Sequence, residues 1–181
     1  MRSDRDAIEE QKQRAEGNTA ALRFESMLTQ LGDFPDKNII DQLTLTAKAV
    51  MQLLGAAGAK RVVENLTRTM LHVSTAPARL IPLFYLLDSI LKNVGRAYVT
   101  LCEPEIVALF RQAFERSSGK DRFRLNHLRL SWIDRALFAP QHAAFAEICQ
   151  PVLDQARGGA PAGGGGRAGS CLLYTSPSPR D

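Results

Sequence analysis

The sequence predicts an all-α domain of about eight short helices, and two observations support this fold class. Between Thr19 and Ala156, apolar residues recur at three- and four-residue spacing in nearly every segment, and no segment alternates like a β-strand. Glycine, proline and serine interrupt the pattern at short intervals, which is typical of short loops between helices. With 181 residues and 45% hydrophobic content, the chain can bury one sizeable core.

Three apolar stripes predict the first three helices. They are Ala21, Phe24, Leu28 and Leu31; then Ile40, Leu43, Ala47, Val50 and Leu54; then Ala59, Val62, Val63, Leu66, Met70 and Val73. Gly55 directly follows the second stripe, and glycine commonly ends a helix. We therefore expect the second helix to end there.

The fourth predicted helix begins near Arg79 and ends at Gly95. Pro82 lies inside its apolar run. Because proline has no N–H to donate, it fits only the first turn of a helix. We therefore expect residues 74–78 to form the connection that precedes this helix.

The remaining pattern predicts a short apolar turn and three more helices. The turn holds Ala97, Tyr98 and Leu101, and the next helix opens at Pro104 and holds Ile106, Phe110, Ala113 and Phe114. After a loop at residues 117–119, a helix holds Leu125, Leu128, Trp132 and Ile133 and stops before Pro140, with Trp132 in the core. The last helix holds Phe145, Ile148 and Val152 and is shortened or kinked at Pro151.

Composition divides the chain into four parts. Residues 1–18 are a charged leader without the apolar centre of a signal peptide, and residues 19–157 are the helical domain. Residues 158–170 are a glycine-rich linker. Residues 171–181 resemble the in-frame translation of a sequencing adapter, so we exclude them and expect the natural chain to continue beyond about Ser170.

Several classes of protein are excluded by what the sequence lacks. It has no run of 18 apolar residues to span a membrane, and no glycine-rich phosphate loop. Cys102 and Cys149 lie in apolar contexts without metal-ligand spacing, as reduced core cysteines of an intracellular protein do. We therefore expect no enzyme activity, no cofactor and no metal site.

Positive charge is concentrated in one region. Residues 111–135 contain seven basic and three acidic side chains, and this excess of four equals the net charge of the whole chain, +4. Such a local field favours an anionic partner, although a solvated pair of helices gives the same pattern.

The fourth predicted helix has a polar row on an otherwise apolar surface. The row comprises Tyr85, Asp88, Ser89, Lys92 and Asn93, whose spacings of three and four residues place them on one face. A carboxylate in a core helix is costly without a partner. Either a neighbouring helix or a ligand must therefore satisfy this row.

The same helix resembles the CTD-interacting domain (CID) of the cleavage and polyadenylation factor subunit that binds RNA polymerase II. Its hallmark, Tyr-x-Leu/Met-Asp-Ser-Ile-x-Lys-Asn-Val-Gly, stands at residues 85–95 as Tyr-Leu-Leu-Asp-Ser-Ile-Leu-Lys-Asn-Val-Gly. Residues 24–28, 38–40, 96–100, 128–132 and 138–140 also resemble that family, so the similarity extends from about Thr19 to Ala156.

The resemblance implies a right-handed superhelix of about eight helices, related to VHS and ENTH domains. It also implies a non-catalytic nuclear module for mRNA 3′-end processing and transcription termination, with partner subunits reached through a missing C-terminal part. Its ligand would be the phosphorylated polymerase repeat Tyr-Ser-Pro-Thr-Ser-Pro-Ser, held between the second, fourth and seventh helices. The implied peptide-binding residues are Asn38, Ile39, Tyr85, Asp88, Ser89, Lys92, Asn93, His127 and Arg129, with Asp88 as acceptor and Lys92 and Asn93 also able to hold helices together.

The phosphate-binding candidates are Arg124, His127 and Arg129. Relatives that read phosphate directly have an arginine five residues before the tryptophan of the seventh helix. His127 occupies that position here and is only partly charged at neutral pH. We therefore expect modest affinity and weak discrimination for phosphate unless Arg124 or Arg129 compensates.

Two alternatives remain open. A trafficking adaptor of the VHS/ENTH type would share the fold, but residues 1–16 lack the apolar face needed for lipid insertion. An RNA-binding helical domain would use the basic region at residues 111–135, although exposed aromatic residues are not evident among those charges. Weak RNA binding beside peptide binding is compatible with the resemblance.

Overall fold

The computed structural model describes residues 4–73 and 76–158, which form seven α-helices and no strand. The helices are α1 (Asp4–Leu28), α2 (Lys37–His72), α3 (Leu80–Asn93), α4 (Arg96–Cys102), α5 (Ile106–Arg116), α6 (Gly119–Asp134) and α7 (His142–Gly158). The all-α prediction is confirmed. Gly158, the first residue of the glycine-rich linker, ends α7, and the rest of the linker and the adapter-like segment lie outside the described residues.

The first helix is longer than its apolar stripe indicated. It begins at Asp4, so the charged residues expected to form a leader continue the helix that holds Ala21, Phe24 and Leu28. Gly17 makes this close packing on α2 possible, because a β-carbon there would lie 2.5 Å from Cγ of Leu54. The N-terminal segment therefore packs on α2 near its middle.

Helix α2 joins two of the predicted helices. Gly55 has φ 62° and ψ −144°, a conformation outside the helical region that glycine adopts readily, and it kinks the helix between its two arms. The apolar stripes before and after this glycine are therefore the buried faces of the two arms. The expected helix end at Gly55 is a kink instead.

Helix α3 is the central element of the core. All but five of its 14 residues are buried, and it packs against α2, α4 and α6. Pro82 is its third residue, so its missing N–H falls in the first turn as expected. A 3-10 turn at Pro77–Arg79 leads into the helix, and residues 74 and 75 of the expected connection lie outside the described residues.

An aromatic cluster joins α3 to the last three helices. Phe110 lies at its centre, with ring centroids 5.1–6.1 Å from those of Phe84, Phe114, Trp132 and Phe145. Trp132 is fully buried, as predicted. Edge-to-face rings at these distances stabilise a core beyond the area that they bury, so this cluster holds the C-terminal half together.

Both described cysteines are buried free thiols, and we expect neither to react with a thiol reagent in the folded protein. Burial raises the pKa of Cys102 to about 12 and also raises the pKa of Cys149, although the nearby Arg129 opposes the second shift. Because the thiolate is the nucleophile, ionisation near pH 8 is suppressed. In a Cys171→Ser variant, reaction with Ellman's reagent should release no chromophore until denaturant is added. Prompt release at pH 8 would contradict this expectation.

Candidate functional site

The polar row of α3 lies between α2 and α6. Asp88, Ser89, Tyr85 and Lys92 are half-buried, and Asn93 is exposed at the end of the helix. Helices α2 and α6 contact α3 from either side. We call this surface the α3 face, formed by the row together with the adjoining residues of α2 and α6.

Asp88 is held by groups from its own helix and from α6. The indole Nε1–H of Trp132 donates to Asp88 Oδ1 at 2.8 Å, and the Lys92 ammonium lies 2.7 Å from the carboxylate. The Asp88 and Lys92 side chains are only 14% and 18% exposed. A lysine of the same helix and an indole of the neighbouring helix α6 therefore satisfy much of the buried carboxylate that the sequence left unexplained.

Lys92 extends this network to a second residue of α6. Its ammonium also donates to Ser131 Oγ at 2.9 Å, and that hydroxyl donates in turn to the Leu128 carbonyl. The Asp88–Lys92 pair thus links two residues of α6, Trp132 and Ser131, to α3. The interpretation of Lys92 as a residue that holds helices together agrees with this geometry.

Ser89 connects α3 to α2. Thr44 Oγ1 donates to Ser89 Oγ at 2.8 Å, and the Asn93 amide donates to the Ser89 carbonyl and hydroxyl at 2.9 and 3.2 Å. The amide oxygen of Asn93 has no partner among the described residues. Ser89 therefore serves packing, whereas Asn93 keeps an acceptor at the surface.

The first turn of α2 places Asn38 and Ile39. Asp36 caps this helix, because its Oδ1 accepts from the backbone N–H groups of Asn38 and Ile39 at 2.8 and 3.2 Å. The cap leaves the Asn38 side chain exposed and Ile39 partly buried against the core. The same arm of α2 carries Thr44, which contacts the α3 row.

The three phosphate-binding candidates lie on different sides of α6. Arg124, His127 and Ser131 are three and four residues apart, so they lie on one side of α6. Ser131 accepts a hydrogen bond from Lys92, so this side of α6 faces Lys92. Arg124 pairs with Asp121 at 2.9 Å, and the exposed His127 ring has no hydrogen-bond partner in the described part of the chain. These two side chains are placed where an anion could approach the α3 face.

Arg129 points elsewhere. It is 7% exposed, its Nε donates to Asn126 Oδ1 at 2.9 Å, and its guanidinium is close enough to Cys149 to oppose the rise in that thiol's pKa. Leu125, Arg129 and Trp132 are four and three residues apart, so Arg129 lies on the same side of α6 as two apolar residues. This spacing predicts that the Arg129 side chain is buried. The expected role of Arg129 in phosphate binding therefore has no support from its position.

Several residues of this region were missed by sequence reasoning. Trp132 and Ser131 complete the Asp88–Lys92 network, and Thr44 completes the contact of Ser89. Phe123 was also missed: its side chain is 56% exposed on α6 between two arginines. The charge pattern of residues 111–135 could have directed attention to that aromatic residue.

Among the described residues, no group of three or more potential ligands could hold a metal ion. Within the same residues, no helix is both long and apolar enough to cross a membrane.

Comparison with known proteins gives two matches. A family model described as CID domain matches residues 23–145. Over 125 residues, which are 67% of this chain, the sequence is 30% identical to the polyadenylation and cleavage factor homolog 11 of Caenorhabditis elegans. The aligned part is 14% of that protein's length, so the chain corresponds to a small portion of it. No solved structure matches the chain.

Proposed function

The chain belongs to the CID domain family, and from this membership we propose that residues 19–157 form a non-catalytic module that binds phosphorylated heptad repeats of the RNA polymerase II C-terminal domain. The similarity to a polyadenylation and cleavage factor supports a role in mRNA 3′-end processing and transcription termination, in the nucleus. Other processing subunits would bind elsewhere in the full-length protein.

One observation supports this proposal most strongly. The α3 face keeps unpartnered polar groups at its edges: the Tyr85 hydroxyl, the Asn93 amide oxygen and the His127 ring have no partner among the described residues. A peptide rich in hydroxyl and backbone groups can pair with each of them. The centre of the face is fixed by Asp88 and Lys92, so these edge groups are pre-positioned.

Asp88 still has the capacity to accept a hydrogen bond from the peptide. A carboxylate offers about four acceptor positions, and two protein donors occupy part of that capacity. The third ammonium hydrogen of Lys92 is likewise available beyond its bonds to Asp88 and Ser131. We propose that the peptide adds one hydrogen bond to this existing network and does not replace it.

The phosphate would lie beside α6. Arg124 and His127 are on the flank of α6 that faces Lys92, and the surrounding region has the concentrated positive charge. Charge-assisted hydrogen bonds to a phosphoserine are about twice as strong as neutral ones. Arg124 already forms an ion pair with Asp121, which would compete with the phosphate for its guanidinium. This competition agrees with the modest affinity for phosphate that the sequence predicts.

Fluorescence anisotropy tests the proposed function directly. A labelled single repeat with flanking residues, phosphorylated on the serine after the tyrosine, should bind with a Kd below about 1 mM, and the unphosphorylated peptide more weakly. The proposal fails if the phosphorylated peptide shows no binding at that concentration. Co-sedimentation with anionic liposomes, in the absence of peptide binding, would favour the trafficking alternative.

Replacing His127 with arginine should tighten binding of the phosphorylated peptide about tenfold, because a planar guanidinium can form two charge-assisted hydrogen bonds with phosphate. Affinity for the unphosphorylated peptide should change little. A Gln11→Arg variant is the matched control, since it adds the same charge at an exposed position of α1. Equal gains in both variants would indicate a general charge effect and would exclude phosphate reading at position 127.

A further inference from the structure

Three large apolar side chains are exposed on the outward side of α6. Phe123, Leu130 and Ile133 are 56%, 41% and 37% exposed, and together they are three of the eight large hydrophobic residues exposed in the described part of the chain. Their spacing of seven and then three residues places them on one side of the helix, over about 15 Å. We call these three residues the α6 ridge.

The α6 ridge adjoins the proposed peptide site. His127 lies one turn from both Phe123 and Leu130, so it separates the ridge from the flank that carries Arg124 and Ser131. Lys120 and Arg135 are exposed at the two ends of the ridge. An apolar surface with basic ends, next to the α3 face, suits a ligand that is both aromatic and anionic.

On the basis of the proposed function, we infer that the α6 ridge binds the neighbouring repeat of the same phosphorylated polymerase peptide. Each repeat supplies a tyrosine for the apolar residues and a phosphoserine for the basic ends. One heptad spans at most about 25 Å when extended. Lys92 of the α3 face contacts α6 at Ser131, and Phe123 lies about 12 Å from Ser131 along the axis of α6. Because this distance is shorter than one extended heptad, the tyrosine of the next repeat can reach the ridge.

Single-stranded RNA is the main competing occupant. An exposed aromatic side chain among basic residues can stack on a base. The ridge favours peptide, because Leu130 and Ile133 offer no aromatic surface on which further bases could stack. RNA binding is therefore an alternative outcome of the test.

The test compares peptides of one and two phosphorylated repeats by fluorescence anisotropy. Wild-type protein should bind two repeats about tenfold more tightly than one, whereas two equivalent registers alone would give about twofold. The double variant Phe123→Ser/Leu130→Ser should bind the one-repeat peptide with the same affinity as the wild type. It should bind the two-repeat peptide only about twofold more tightly than the one-repeat peptide. Phe34→Ser, at a loop phenylalanine that is 76% exposed, is the matched control and should keep the full gain.

The possible outcomes separate this inference from the proposed function. If one repeat binds but the double variant keeps the full gain, the inference is wrong and the proposed function stands. If neither peptide binds, both are wrong. If the wild-type protein forms a dimer in sedimentation, and the double variant loses both the dimer and the gain in affinity for two repeats, the ridge serves self-association. If single-stranded RNA displaces the second repeat, and binds the wild type but not the double variant, the ridge is an RNA-binding surface. Either result would overturn the inference.

Discussion

Replacing Asp88 with alanine is expected to lower the free energy of unfolding by about 2–4 kcal/mol, as measured by urea denaturation. The change leaves the buried indole N–H of Trp132 without its acceptor and the Lys92 ammonium without its counter-ion. Asp88→Asn keeps an acceptor for the indole and removes only the ion pair, so it should cost less, about 1–2 kcal/mol. Equal losses in both variants would contradict this division.

The chain contains a matched control for this prediction. Lys37 and Asp41 form another i, i+4 pair with the same 2.7 Å separation, but their side chains are 86% and 52% exposed. Because solvent screens an exposed pair, Asp41→Asn should leave the urea midpoint nearly unchanged. Peptide affinity of the Asp88 variants should be measured only where circular dichroism shows that the protein is folded, since loss of the fold and loss of a contact both reduce binding.

Replacing Phe110 with alanine is expected to lower the free energy of unfolding by about 3–5 kcal/mol. Phe110 is fully buried and contacts aromatic rings on α3, α5, α6 and α7. The truncation removes the centre of the cluster and leaves a cavity among four helices that cannot all collapse into it. A loss of this size is a large fraction of the stability of a small domain.

The control for Phe110 is an aromatic residue on the surface. Phe123→Ala removes the same atoms from an exposed position on α6 and should change the free energy of unfolding by less than about 0.5 kcal/mol. A loss of similar size in both variants would mean that the aromatic cluster is not the main support of the C-terminal half. Circular dichroism during urea titration measures both variants under the same conditions.

Much of the fold could be predicted because it follows from local patterns. The apolar stripes located the buried faces of the helices, and the missing N–H of Pro82 fixed the start of α3. Gly55 was harder to interpret, because glycine is common both at helix ends and at kinks. Only the packing of the second arm of α2 against the rest of the core decides between those two structures.

The interior of the site was less predictable, because its contacts join residues far apart in the sequence. The sequence indicated that Asp88 needs a partner, but Trp132 is 44 residues away and no local signal joins them. Ser131 and Thr44 are polar residues at helix positions that look unremarkable until α6 and α2 pack on α3. Arg129 was the opposite case, since its spacing with Leu125 and Trp132 already indicated burial.

The kink in α2 also has a genetic consequence. Every missense change of one nucleotide in a glycine codon introduces a residue with a β-carbon. At Gly55, where φ is 62° and ψ is −144°, each such residue would strain the backbone by about 1–3 kcal/mol. At Gly32, which has no positive φ and open space around its α-carbon, the same nucleotide changes meet no such barrier. Missense variants of the first codon should therefore be depleted in natural populations relative to those of the second.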